Sequence, residues 1–524
     1  MKREALMFRR LVTTLTLVSA VLVPTVPASA DPPQPDTKVR TDAGYVRGYA
    51  TEDHLVFKGV PYAAPPTGDR RFRAPQPVQP WSAVRDATEP ASKCAQTTRW
   101  EGSVGSEDCL YLNIHVPTKN RRPLPVVVYW HGGGFGGGDS ALYDPRPYSG
   151  GGNVIVVTAN YRLGALGFLG HREMSDPWAG NFGIADQVAA LRWVRRNIAA
   201  FGGDPDNVTT AGESAGAFSV CAQVAAPAAR GLFDRAISES GPCGTDLLSR
   251  AEAGRRADSA ATELDCADTD DVMDCLRALP AEDLSRLRWK QVTLTENLTN
   301  LPFMPVAGTP ALPAQPQTAV ETGIGSRVPM LLGTNRDEMR TVILDRLRSG
   351  QGHVTAEEYE QFIRARYGGH ADRVLAAYPL ADYASPDLAL ATLMTDDGRG
   401  VGPCPNLDFA EVASRYSPVF VYEFSEPTGA VFQGFPEGAA HGAHTTYFFN
   451  SYHPSQEPSP TTELGDTLIS QWSHFARVGH PGAGWAPYRS DGVAREFTAS
   501  DVRPVDVASR HRCDLWADVL QNAK

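Results

Sequence analysis

The stretch "NVTTAGESAGAFSVCAQVAA", residues 207–226, decides how the chain is read. Its first half, with Val208, Thr209 and Thr210, has the β-branched character of a strand, and its second half has the composition of a helix. Between them lies Gly212-Glu213-Ser214-Ala215-Gly216, a match to G-x-S-x-G. A strand that turns directly into a helix forces the central residue into strained backbone geometry. Bulk at Gly212 or Gly216 would clash there, and the bend lifts the Ser214 hydroxyl clear of the sheet edge. A glycine-rich turn with an incidental serine would need neither the strand before it nor the helix behind it. Ser214 is therefore the candidate nucleophile.

The flanking sequence repeats the same alternation. "PVVVYW" (125–130), "NVIVVTANYR" (153–162), "VPMLLGTN" (328–335) and "PVFVYEF" (418–424) are apolar runs of the kind buried on both faces of a parallel sheet. "VTTAG" (208–212) and "RAISESG" (235–241) are two further strands. Helices are expected over 184–200, 249–264, 355–367 and 464–478. Strand alternating with helix predicts an α/β fold around a large, mostly parallel central sheet flanked by helices. The segment from 340 to 400 carries no readable motif, and its loops are expected to shape whatever pocket the sheet edge supports.

A serine nucleophile needs donors for the oxyanion it creates. "HGGGF" (131–135) follows the strand "PVVVYW", and consecutive glycines let backbone N–H groups converge on one point. The expected donors are the N–H groups of Gly133, Gly134 and Ala215, with Phe135 beside them as a candidate pocket residue. The nucleophile also needs a base and an orienting acid, which in this chain order follow it as acid, then histidine. Asp337 and Glu338 both sit just past the strand "VPMLLGTN". His441 lies in the small-residue loop "GAAHGAH", with His444 three residues on as its nearest rival. His474 falls in an expected helix and His511 near the C-terminus, so both read as structural or exposed.

The first 30 residues read separately. Lys2, Arg3, Arg9 and Arg10 precede an apolar run from Leu11 to Val23, and Ala28-Ser29-Ala30 suits cleavage. This predicts an export signal cleaved near Ala30, leaving 31–524 as one catalytic domain in a secreted chain. The run is shorter than the roughly 18 residues a membrane span needs, so no stable membrane anchor is expected. The 524-residue chain carries a net charge of −11. Residues 1–30 contribute +3 (four basic residues against Glu4), so the remainder carries −14. That acidity argues against a nucleic-acid partner. In an exported chain the 8 cysteines are expected to pair, and neither CxxC nor HExxH occurs to suggest a metal.

Taken together, "FKGVPYAAPPTGDRRF", "SEDCLYLNIHVP", "HGGGF", "NYRLGALGF", "GNFGIADQVAALRWVRRNIAAFGGDP", "GESAGA", "LFDRAISESG", "GTNRDE" and "HGAHTTYFF" resemble the type-B carboxylesterases, the family of cholinesterases and bacterial esterases. The resemblance spans most of the chain after residue 30. It implies an α/β-hydrolase fold and hydrolysis of small-molecule carboxylic esters without metal or cofactor. By position it makes Ser214 the nucleophile, Glu338 rather than Asp337 the acid, and His441 rather than His444 the base. Two departures stand out: His444 where many relatives carry an acid, and Met339 where a small residue is usual. The resemblance also implies the bridges Cys94–Cys109, Cys266–Cys275 and Cys404–Cys513. Cys221 and Cys243 are left as a fourth bridge or two buried thiols. Trp100 lies near where cholinesterases place an aromatic facing the substrate, though the Cys94–Cys109 loop is shorter here. A non-catalytic binding protein is disfavoured by the complete triad, and an interfacial lipase by the lack of an amphipathic lid segment.

Overall fold

The chain is built around a twisted sheet of eleven strands, seen in a computed structural model that describes residues 37–98, 101–118, 123–287, 301–450, 462–489 and 491–521. The expected export segment and Trp100 lie outside the described residues. In chain order the strands are β1 (Tyr49–Ala50), β2 (His54–Pro61), β3 (Tyr111–Pro117), β4 (Leu124–Trp130), β5 (Ile155–Ala159), β6 (Gly203–Glu213), β7 (Arg235–Glu239), β8 (Met330–Asn335), β9 (Val419–Phe424), β10 (Val493–Phe497) and β11 (Val502–Asp506). Their order across the sheet is β11-β10-β9-β8-β7-β6-β4-β5-β3-β2-β1. Strands β4 to β10 are parallel to their neighbours in that set, while β1, β2, β3 and β11 pair antiparallel at the two sides. Every residue of β4, β5, β8 and β9 is buried. Burial on both faces is why these segments read as unbroken apolar runs with no alternation. The expected α/β fold is thus the observed one.

Helices cover the sheet: α1 (Phe182–Asn197), α2 (Ala215–Ala225), α3 (Arg250–Glu263), α4 (Arg340–Arg348), α5 (Ala356–Tyr367), α6 (Ala371–Ala377), α7 (Pro386–Asp396), α8 (Cys404–Ala413), α9 (Glu463–Val478) and α10 (Cys513–Gln521). Their ends follow local chemistry. Helix α5 starts in a reciprocal box, in which the Glu358 N–H donates to the Thr355 hydroxyl and the Thr355 N–H to the Glu358 carboxylate. Helix α9 stops at Gly479, whose φ of 81° terminates it. Helix α1 ends at Asn197 rather than near 200, because a 3-10 turn over Ile198–Phe201 takes over before Gly202. A larger correction concerns 340–400, expected to be loops around the one helix over 355–367: α4, α6 and α7 join the expected α5, and together they occupy most of it. Helix α7 is buried almost all round, so its sequence "PDLALATLMTD" lacks the polar face by which a surface helix is recognised.

The topology sets the site. From β4 the chain places β5 on one side and β6 on the other, so the strand order reverses at β4. The crevice beyond the carboxyl ends of the strands at such a reversal is where α/β sheets bind ligands. Two ion pairs hold the surrounding segments. Arg162 grips Asp186 of α1 through both carboxylate oxygens at 2.7 Å, with neither side chain more than 4% exposed. Arg71 grips Glu107 in the same two-pronged way, which ties "GDRRF" to "SEDCLYLN". All four disulfides are present, Cys94–Cys109, Cys221–Cys243, Cys266–Cys275 and Cys404–Cys513. The pair left open by the sequence, Cys221 of α2 and Cys243 after β7, is therefore bridged. Among the described residues no helix is long and apolar enough to cross a membrane.

Candidate active site

The strand-turn-helix bend expected at Ser214 is observed. Strand β6 ends at Glu213, α2 begins at Ala215, and Ser214 between them has φ 57° and ψ −122°. That is a costly conformation for a residue with a side chain, of order 1–3 kcal/mol. It persists because its surroundings leave no alternative. A Cβ on Gly212 would fall 2.6–2.9 Å from the backbone of Gly216 and the Trp130 carbonyl. One on Gly216 would overlap the Trp130 carbonyl oxygen, and one on Gly241 would fall 2.7 Å from the Ser214 carbonyl. The Ser214 N–H donates to the Glu239 carbonyl at 2.9 Å. A buried polar ladder fixes α2 beneath the bend. Trp130 Nε1 donates to Thr210 Oγ1, which donates to Gln223; Gln223 Nε2 donates to Gln187, and Gln187 Nε2 to Ser219.

The glycine loop 132–134 seats directly on this bend. The Cβ position of Gly132 lies 3.0 Å from Ser214 Cβ and 2.6 Å from Glu213 Oε2, so only glycine allows the approach. Gly133 and Gly134 have φ of 109° and 59°, and the N–H groups of Gly136 and Gly137 both turn back onto the Gly133 carbonyl. The loop is braced from behind, where Tyr161 stacks on His131 at 4.4 Å and its hydroxyl donates to the His131 carbonyl. The Gly132 N–H donates to the Tyr143 hydroxyl. Ala215 supplies the first N–H of α2, where the backbone donors of a helix lack intrahelical partners and the dipole favours negative charge. Phe135, the candidate pocket residue, is fully buried and meets Phe168 edge-on at 4.9 Å. Its ring faces the protein interior in this structure.

Of the two acids after β8, the structure brings Glu338 to the histidine. Glu338 is fully buried; its Oε1 accepts the Asn335 N–H at 2.7 Å, and its Oε2 lies 2.6 Å from His441 Nδ1. Asp337 turns away, accepting the Ala439 N–H at 2.9 Å and pairing with Arg340. The backbone holds His441 in place as well, its N–H donating to the Glu338 carbonyl. The rival histidines are engaged elsewhere. His474 Nδ1 bonds the His480 carbonyl, and His511 is buried between Asp396 and Glu423 at 2.6 Å from each. His353 pairs with Asp387.

One participant was missed in the sequence reading. Glu213, the residue before Ser214, is fully buried with Oε1 3.2 Å from His441 Nε2. The signal for it in the sequence is its position, an acid at the last residue of a buried strand. His441 therefore sits between two carboxylates. Burial works against its charged form, but Glu213 and then Glu338 outweigh it and raise its pKa from 6.5 to about 9. If His441 is the base it must be neutral to act, and kcat/KM should then fall as pH drops through this raised value, well above the ordinary histidine range. Glu213→Gln removes one stabilising charge, and the acid limb should move to lower pH. A limb unmoved by the substitution would show that Glu213 exerts no field on the base. Among the described residues, no group of three or more His, Cys, Asp or Glu side chains could hold a metal.

The Carboxylesterase family model matches residues 35–516. The chain belongs to that family. Para-nitrobenzyl esterase of Bacillus subtilis (strain 168) is 34% identical over 472 residues, covering 86% of this chain and 93% of that protein. An acetylcholinesterase of Leptinotarsa decemlineata is 31% identical, covering 92% and 86%. A solved PNB esterase structure superposes with a TM-score of 0.77 at 33% identity, over 92% of this chain and all of that one. This carboxylesterase family member is accordingly a carboxylic ester hydrolase with the α/β-hydrolase fold, acting on small-molecule esters.

Proposed function

We propose that the chain is a secreted serine esterase that works through an acyl-enzyme on Ser214. Residues 1–30 are removed on export, and 31–524 form the catalytic domain. His441 Nε2 takes the proton from Ser214 Oγ, which attacks the ester carbonyl. Glu338 keeps the Nδ1 proton of His441 in place and so leaves Nε2 as the base. The N–H groups of Gly133, Gly134 and Ala215 receive the oxyanion, each worth about 10²–10³ in rate where such donors have been removed in other enzymes. His441 then gives its proton to the leaving alcohol, and water repeats the cycle to release the acid. Side-chain exposure of 16% at His441 leaves the ring edge open to substrate and water.

The observation that carries this reading is the Glu338–His441 pair, whose Nε2 lies 3.2 Å from Glu213, the residue before a serine strained into a strand-to-helix bend with the glycine loop packed on its Cβ. The four disulfides and the basic-then-apolar start of the chain support export. The test is covalent labelling: one equivalent of an organophosphonate should abolish ester hydrolysis, with the adduct on the Ser214 peptide by mass spectrometry. An adduct on any other residue, or activity surviving full labelling, would overturn the mechanism.

A further inference from the structure

Behind the proposed triad lies a second imidazole that the mechanism leaves unused. His444 is 1% exposed, and neither ring nitrogen makes a hydrogen bond within the protein. Its Nε2 is 3.9 Å from Glu239 Oε2. Glu239, itself 3% exposed, belongs to the residue whose carbonyl accepts the Ser214 N–H. Its carboxylate accepts from Trp472 Nε1 at 2.7 Å and from the Tyr129 hydroxyl at 3.2 Å. Two neutral donors soften a buried carboxylate's charge without cancelling it, and a buried charge that is not paired is costly.

The surroundings of His444 are acidic from several elements at once. Glu239 faces it from β7. On β9 the Tyr422 ring lies 6.4 Å away, and its hydroxyl is pushed well up by burial and by the fields of Glu239, Glu338 and Glu213. Phe424 covers another side at 5.9 Å. The one basic group on its own segment that shares this acidic pocket is His441, three residues earlier, held by Glu338 and Glu213. Three buried carboxylates thus converge on a region served by two imidazoles.

We propose that His444 is a positioning residue for the esterase site, pairing as a cation with Glu239 and setting, through its charge, how strongly His441 holds a proton. The proposal rests on the serine-esterase reading above. With His444 charged, Glu239 and His444 cancel, and His441 experiences Glu213 and Glu338 alone. Without that cation the Glu239 charge is added, the His441 imidazolium is further stabilised, and the base is captured by protons at higher pH.

The test is the pH profile of kcat/KM on a soluble ester. His444→Gln should move the acid limb upward by about 0.5–1 pH unit, with little change in the plateau rate. Glu239→Gln added to His444→Gln removes the uncancelled charge and should bring the limb back to that of the wild type. A merely structural role would lower the melting temperature of both variants and leave the limb in place, which would overturn the proposal. A limb that shifts in His444→Gln and stays shifted in the double variant would overturn it as well, because the Glu239 charge would not be the cause. Where the variants fold poorly, an NMR titration of wild-type His444 decides: a ring neutral at the pH of the acid limb excludes the cation. Failure of the esterase reading shows separately, as wild-type protein that does not react at Ser214 with an organophosphonate.

Discussion

Ser214→Ala should lower kcat for ester hydrolysis by roughly 10⁴–10⁶-fold, the range seen when a serine nucleophile acting as one unit with its base is removed. The fold should survive, because alanine keeps the Cβ that the bend already accommodates and loses only the hydroxyl. Substrate binding should be largely kept, since the oxyanion donors belong to the backbone. The strain at this position offers an independent check. Ser214 holds φ 57° and ψ −122°, a conformation glycine adopts at little cost, so Ser214→Gly should be as inactive as Ser214→Ala while melting higher. A Ser214→Ala enzyme retaining a tenth of wild-type turnover would remove Ser214 from the nucleophile's role.

The parts of this arrangement legible in the sequence share a physical cause. Strands β4, β5, β8 and β9 are buried on both faces, so their composition alone marks them. Ser214 was legible because a sharp bend against the Trp130 carbonyl admits only glycine at 212 and 216, which leaves a pattern of absences around one hydroxyl. Helix α7 was not legible, because burial on all sides erased its periodicity. Spacing could not choose between Asp337 and Glu338, adjacent acids on one loop; only resemblance to a family favoured the second. The choice is made in three dimensions, by Ala439 and Arg340 claiming one and Asn335 and His441 the other. Nor could spacing reveal Glu213 and Glu239 as parts of one acidic pocket, although the sheet register sets them directly opposite each other at the ends of β6 and β7. Pairing across a parallel sheet joins residues far apart in the chain, and no local pattern records it.

The neighbouring acids also give the second large effect. Glu338→Gln should reduce kcat about 10⁴-fold, and the hydrogen bonds of the carboxylate explain why an isosteric change is so damaging. In the native site Oε1 takes the Asn335 N–H at 2.7 Å and Oε2 faces His441 Nδ1 at 2.6 Å. A glutamine here has one carbonyl oxygen for the two tasks. The Asn335 N–H can only donate, so it claims that oxygen and turns the amide NH₂ group toward His441. Nδ1 must then accept, the ring proton moves to Nε2, and the nitrogen that should take the Ser214 proton already carries one. Asp337→Asn makes the control. It loses the charge that pairs with Arg340 at 2.9 Å, outside the His441 contact, so it should cost stability and change kcat less than about tenfold. Equal losses of kcat in the two variants, or a larger one in Asp337→Asn, would give Asp337 the orienting role and undo the assignment of Glu338.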